Sequence, residues 1–229
     1  MNFLYRMHEG FGRNNSNLEG FDGIRCLRNF LSCIDNKDKL IIFIDNSSDE
    51  FCQTIKDIHP NIIRINLGNC KSFLFAVDYA INNFDSQERV YFIENDYLHK
   101  PNIEKYFEDG FNTGAQFVSL YDHPVLYTHN GCDIEHPYLL SKIFLGKKAY
   151  WRTAPYTCMT FATTVRRLIM HRDLIIEACT QPETPLDVEL FNNIQQTGDI
   201  LVSPMPGRAT HLVKNHLSPF VDWSSCTYV

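Results

Sequence analysis

The chain has 229 residues, 44% of them hydrophobic, with a net charge of −6 and a pI of about 5.8. That length suits one α/β domain or a domain with a lobe, and so much apolar material excludes intrinsic disorder. The acidic balance gives no electrostatic footprint for nucleic acid, and no run of about 18 apolar residues offers a membrane span.

Asn2–Met7 is apolar and reads as a first strand, without the apolar core and cleavage site of a secretory signal. The Gly-containing stretch from Glu9 to Gly20 is a loop, and Gly12, Gly20 and Gly23 make no dinucleotide fingerprint. Ile24, Leu27, Phe30, Leu31 and Ile34 recur at helical spacing, so a helix is expected over Gly23–Cys33. Lys39–Ile44 is a second strand, closed by Asp45-Asn46-Ser47-Ser48, which also caps a helix over Glu50–Ile58. Ile62–Leu67 is a third strand. Ser72–Phe84 is a helix with Phe73, Val77, Ala80 and Ile81 on one face. Val90–Ile93 is a fourth strand.

The second half is less regular. A helix is expected over Ile103–Gly110 and a strand over Phe117–Tyr121. Asp122–Lys148 has little periodicity, and its His123, His129 and His136 fit no zinc spacing. Tyr150–Phe161 is β-prone, Thr164–Ala178 and Leu186–Ile194 are helical, and Ile200–Pro204 is a last strand before an irregular tail. The eight cysteines form no CxxC pair, so they read as reduced thiols of an intracellular, cytoplasmic protein.

The alternating β-α-β-α-β-α-β order argues for a mostly parallel sheet with helices on both faces, which binds ligands beyond the carboxyl ends of its strands. Tyr5-Arg6, Asp45-Asn46 and Glu94-Asn95-Asp96 all end strands and are expected on that edge. Two carboxylates one residue apart at a strand end can converge on a hard divalent cation, which prefers oxygen ligands and keeps positions for substrate phosphates. The opposing reading is an ordinary acidic loop.

With these residues in view, the chain resembles the GT-A type of nucleotide-sugar glycosyltransferase. Val90–Lys100, Thr160–Leu168 and Pro206-Gly207-Arg208-Ala209-Thr210-His211 look most similar to the small glycosyltransferase domains of large DNA viruses, including chlorovirus capsid rhamnosyltransferase-like domains. The resemblance implies one GT-A-like domain over 1–229. About 1–100 would bind the donor, and about 101–229 would supply the acceptor side and a metal-binding tail. It implies transfer of a sugar from a nucleoside-diphosphate donor, UDP favoured, to a glycan or protein-linked acceptor, in the host cytoplasm if the protein is viral.

It also assigns roles. Asp96 is expected to ligate Mn²⁺ or Mg²⁺. Glu94 and Asn95 would face the ribose or metal-bound waters, and direct metal contact by Glu94 stays open because the family has Asp there. His211 is either a further ligand, which favours Mn²⁺, or a surface histidine. Arg208 or Lys214 would face the diphosphate. Asp187, at the start of a helix behind Pro185, is the expected base of an inverting transfer, with Glu189 as fallback; the alternative is that both complement the helix dipole. Asp45 and Ser72 would bond the base or ribose. Arg6 would cradle the nucleotide, while Tyr5 and Phe73 either stack on it or pack in the core. Trp151 and Arg152 would line the acceptor side. The rival readings are a nucleotidyltransferase, which lacks its Gly-rich basic loop here, and an inactive sugar- or nucleotide-binding domain.

Overall fold

The computed structural model describes residues 1–10, 21–127, 140–180, 184–213 and 215–226. Its first half follows the expected alternation. Strand β1 (Asn2–Met7) leads to α1 (Gly23–Cys33), β2 (Leu40–Asp45), α2 (Asp49–Ile58), β3 (Ile62–Ile65), α3 (Asn69–Asn83) and β4 (Arg89–Glu94). Then come β5 (Tyr97–His99), α4 (Ile103–Phe111), β6 (Phe117–Val118), β7 (Ile143–Leu145), β8 (Tyr150–Thr153) and β9 (Ala162–Thr164). The last elements are α5 (Val165–Met170), α6 (Arg172–Ala178), α7 (Asp187–Gln196), β10 (Leu201–Met205) and β11 (Ala209–His211).

Nine strands form one sheet in the order β3-β2-β1-β4-β9-β6-β10-β8-β7. Seven of them run one way, and only β9 and β8 oppose. The chain steps outward from β1 to β2 and β3, then returns to β4 on the other side of β1. That reversal leaves a crevice between the carboxyl ends of β1 and β4, where open α/β sheets bind ligands.

Side chains alternate across each strand, so β1 feeds two cores. Phe3, Tyr5 and Met7 join Leu27, Phe30 and Leu31 of α1 and Ile55 of α2 on one face. Leu4 joins Phe73, Ala76, Val77 and Ala80 of α3 on the other. Helix ends follow local chemistry. Asp22 accepts from the N–H of Arg25 at 2.8 Å, and Ser48 accepts from that of Phe51 at 3.1 Å, as caps do.

Four departures matter. Helix α3 begins at Asn69, three residues before the expected Ser72, because Gly68 at φ +80 turns the chain there. The helix expected over 164–178 is two, α5 and α6, meeting at His171, whose imidazole bonds Asp199 at 2.8 Å. A short strand, β7, lies inside the stretch expected to be irregular, and pairs antiparallel with β8. The tail expected to be irregular contains β11, antiparallel to β5, with His211 opposite Tyr97. The seven cysteines among the described residues are free thiols, and no helix there is long and apolar enough to cross a membrane.

Candidate functional site

A cleft of about 480 Å³ opens at the carboxyl edge, lined by Arg6, Asp45, Ser72, Glu94, Asn95, Asp96 and His211 among others. Seven residues scattered from the start of the chain to its tail therefore meet, as their strand-end positions predict.

Asp96 follows β4 directly and is buried. Its Oδ2 pairs with His211 Nε2, while its Oδ1 is buried without a hydrogen-bond partner. An unpaired buried carboxylate oxygen costs free energy unless something fills the place. The His211 ring stacks flat on Tyr97, with centroids 4.8 Å apart and planes 5° apart. Pairing of Leu212 N–H with the Asp96 carbonyl at 2.9 Å extends the β5–β11 contact and brings the tail to the motif. Burial works against the His211 proton, but the Asp96 carboxylate and then Glu94 outweigh it and raise the imidazole pKa.

Glu94 stands opposite Arg6 in the β1–β4 register and forms an ion pair with it. Burial raises the Glu94 pKa; Arg6 opposes the rise and Asp96 adds to it. The Arg6 guanidinium is fixed from three further directions. It donates to the Asn69 carbonyl at 2.8 Å and to Ser72 Oγ at 2.9 Å, and its carbon lies 5.2 Å from the Phe73 ring centroid. Asn69 escapes the sequence reading, since α3 was expected to begin later; the Gly68-Asn69 pair was the available clue.

Several expected roles are corrected. Tyr5 is fully buried against Phe30, because neighbours on a strand face opposite ways and Arg6 takes the cleft side. Phe73 is likewise core, packed on Phe92 and Phe161. Asp45 lines the cleft, but its oxygens accept the N–H groups of Leu67 at 2.7 Å and Gly68 at 2.9 Å, so its carboxylate holds the loop into α3. Asn95 donates to the His8 carbonyl at 3.2 Å and presses on Gly23, where a Cβ would meet its amide nitrogen at 2.8 Å. Ser72 positions Arg6 while donating to the Asn69 carbonyl at 2.9 Å.

Trp151 is fully buried, with its indole N–H on Asp109 at 2.9 Å, so it offers no face to a sugar. Arg152 does pair with a carboxylate, but the partner is the buried Asp122 of its own chain, at 2.5 Å. Arg208 lies over Tyr106 and donates to the Pro101 carbonyl at 2.9 Å, and it is not among the cleft's lining residues. Lys214, His129 and His136 lie outside the described residues.

Asp187 is the first residue of α7 and is half-buried. Burial pushes its carboxyl pKa up to about 6, against lowering by backbone N–H groups of its own helix start. The Cys158 thiol feels the charges of Asp187, Glu94 and Asp96, which sets that thiol among all three carboxylates. Glu189 is exposed.

Among the described residues, no three His, Cys, Asp or Glu side chains form a ready-made metal cage. Asp96 and His211 are instead two adjacent ligand types with a free, buried oxygen facing a polar cleft. That donor set fits an open site completed by substrate oxygens, as Mg²⁺ and Mn²⁺ commonly use.

No protein-family model matches the sequence, and no curated protein matches it. Solved structures do. GalNAc-T7 with UDP, GalNAc and Mn²⁺ is 11% identical with a TM-score of 0.60, over 93% of this chain and 44% of that one. The TarS 1–349 structure from S. aureus with UDP is 13% identical with a TM-score of 0.51, over 89% of this chain and 57% of that one. The same TarS fragment without UDP in its description is 12% identical with a TM-score of 0.50, over 89% and 58%. The fold is GT-A. At such identities the likeness is one of fold, and the chain spans about half the length of these neighbours. In GT-A terms the cleft lies at the carboxyl edge, beyond β1 and β4.

Proposed function

We propose that the protein is a glycosyltransferase that moves a sugar from a nucleoside-diphosphate donor, a UDP-sugar favoured, to a hydroxyl of a glycan or protein-linked acceptor, with inversion at the anomeric carbon. The observation that carries this reading is Asp96: one oxygen is tied to His211, and the other is buried and unpartnered beside the cleft. Asp96 and His211 would hold Mn²⁺ or Mg²⁺, with Glu94 close by. A cation held there would neutralise charge developing on the leaving diphosphate. The fold neighbours solved with UDP, and with UDP and Mn²⁺, support the same reading.

The chain's own residues divide the remaining work. Arg6 fixes Glu94 at the floor of the cleft, and Asn69 and Ser72 hold Arg6 in place. Asp45 and Asn95 shape the walls through backbone contacts. Asp187 takes the acceptor proton. The acceptor oxygen bonds to the anomeric carbon as the bond to the diphosphate breaks, and the proton passes to the carboxylate. A pKa of about 6 leaves Asp187 mostly ionised at neutral pH yet still basic enough to accept it.

In this reading residues of about 1–100 form the donor half, and those of about 101–229 form the acceptor half and metal-binding tail of one domain. The resemblance of Val90–Lys100, Thr160–Leu168 and Pro206–His211 to glycosyltransferase domains of large DNA viruses favours a viral origin and action in the host cytoplasm.

Calorimetry with UDP, in Mn²⁺ and in chelator, tests the reading. Binding is expected in Mn²⁺ only, and Asp96→Ala is expected to abolish it without unfolding the protein. Equal affinity in chelator and in Mn²⁺ would remove the metal role. Donor turnover by the wild-type chain then separates an enzyme from an inactive binding domain.

A further inference from the structure

The β7–β8 hairpin closes the far edge of the nine-stranded sheet. Ile143 and Leu145 alternate onto one face of β7, and Tyr150 stands opposite Leu145 in the register. That face meets solvent: Ile143 is 52% exposed, Leu145 82% and Tyr150 59%, with Leu140 just before the strand at 92%. Scattered exposed apolar residues are ordinary, but four in one short element call for a partner.

Charge says what partner. From Leu140 to Thr153 the sequence holds Lys142, Lys147, Lys148 and Arg152 and no acidic residue, within a chain of net charge −6. Arg152 is spent on Asp122. The three lysines are exposed, Lys142 leaning over the Phe144 ring at 5.0 Å. The tip is also rigid. Buried Asp109 accepts the backbone N–H groups of Lys147 at 2.6 Å and Lys148 at 3.0 Å, together with the Trp151 indole. A Cβ on Gly146 would lie 2.2 Å from the same carboxylate, so the turn packs tightly onto it. Lysines and aliphatic side chains are thus presented together on a fixed tip.

We propose that this hairpin docks the protein on an anionic lipid surface, with Leu140, Ile143, Leu145 and Tyr150 entering the headgroup boundary and the three lysines among acidic headgroups. A second copy pairing edge to edge would bring two lysine sets together, which like-charge repulsion opposes. An acidic peptide adding as a strand would find only three residues of β7 to pair with, too few for a firm ladder.

The test is co-sedimentation of the full chain with phosphatidylcholine vesicles, with and without phosphatidylserine. Binding is expected only with phosphatidylserine, weakening as salt rises. Each lysine near such a surface strengthens binding roughly fivefold, so a triple Lys142→Gln, Lys147→Gln, Lys148→Gln variant should lose on the order of a hundredfold. Leu145→Ser with Tyr150→Ser should also release the protein. Circular dichroism melts confirm folding, and if the apolar variant melts early, the lysine variant decides. Equal binding to neutral vesicles, or no loss in the lysine variant, overturns the proposal. So does a dimer in sedimentation velocity that Leu145→Ser dissolves, or capture of polyglutamate by a hairpin that ignores vesicles.

Discussion

At the scale of single residues, Asp96 and Asp187 are carboxylates in opposite situations. Asp96 shares one oxygen with His211 and leaves the other unpaired, so its use depends on what arrives in the cleft. Asp187 has little more than its own helix start to lower its pKa, and burial raises it to about 6. A base must be deprotonated to act, so turnover is expected to fall as pH drops through about 6 and to level off above it. Asp187→Asn should lower turnover by roughly 10²- to 10⁴-fold while UDP affinity stays near that of the wild type, because the base serves the acceptor. Steady-state rates across pH, with calorimetry on the variant, check this. Near-normal turnover would pass the role to Glu189 or another carboxylate, and retention of anomeric configuration by NMR would remove the inverting mechanism.

At the scale of elements, the loop from β3 into α3 depends on a remote carboxylate. Asp45, at the end of β2, accepts the N–H groups of Leu67 and Gly68. It thereby seats Asn69, which in turn grips Arg6. Asp45→Ala leaves these two N–H groups without their charged acceptor, which should cost roughly 1.5–3 kcal/mol. Urea denaturation is expected to show that loss, and UDP affinity should fall with it as Arg6 loosens. An unchanged urea midpoint would mean that water replaces the carboxylate without penalty. Strands β5 and β11 show the same dependence: each has three residues and they pair with each other, so neither has a local reason to form.

At the scale of the molecule, acid is expected to weaken the fold through His99. This ring is fully buried between Phe30 and Tyr91, and its Nε2 lies 2.8 Å from the Tyr91 hydroxyl. Burial depresses its pKa to about 3. The unfolded chain therefore takes up a proton near the ordinary pKa of about 6.5, while the folded chain refuses it until about pH 3. Its contribution to stability is complete above about pH 6.5 and is lost progressively as pH falls toward 3, a loss on the order of a few kcal/mol. Urea midpoints between neutral pH and pH 4 should decline steeply in the wild type and more gently in His99→Asn. Parallel slopes would place the acid lability elsewhere.

The sequence alone determined the elements whose causes are local. Apolar periodicity marks α1 and the strands β1, β2 and β4, and strand-end chemistry marks Glu94, Asp96 and Asp45 as neighbours on one edge. Adjacency on a strand also implied that Tyr5 and Arg6 face opposite ways, which assigns only one of them to the cleft. Tertiary structure decided the rest, because the partners lie far apart along the chain. Trp151 and Arg152 read as a sugar-binding wall until Asp109 and Asp122 take them inward across 42 and 30 residues. His211 gains a role only when β11 pairs with β5, which sets it on Asp96 from 115 residues away. A side chain's type is written in the sequence, but whether it faces solvent, a cleft or another buried charge depends on which distant segment the packing brings against it.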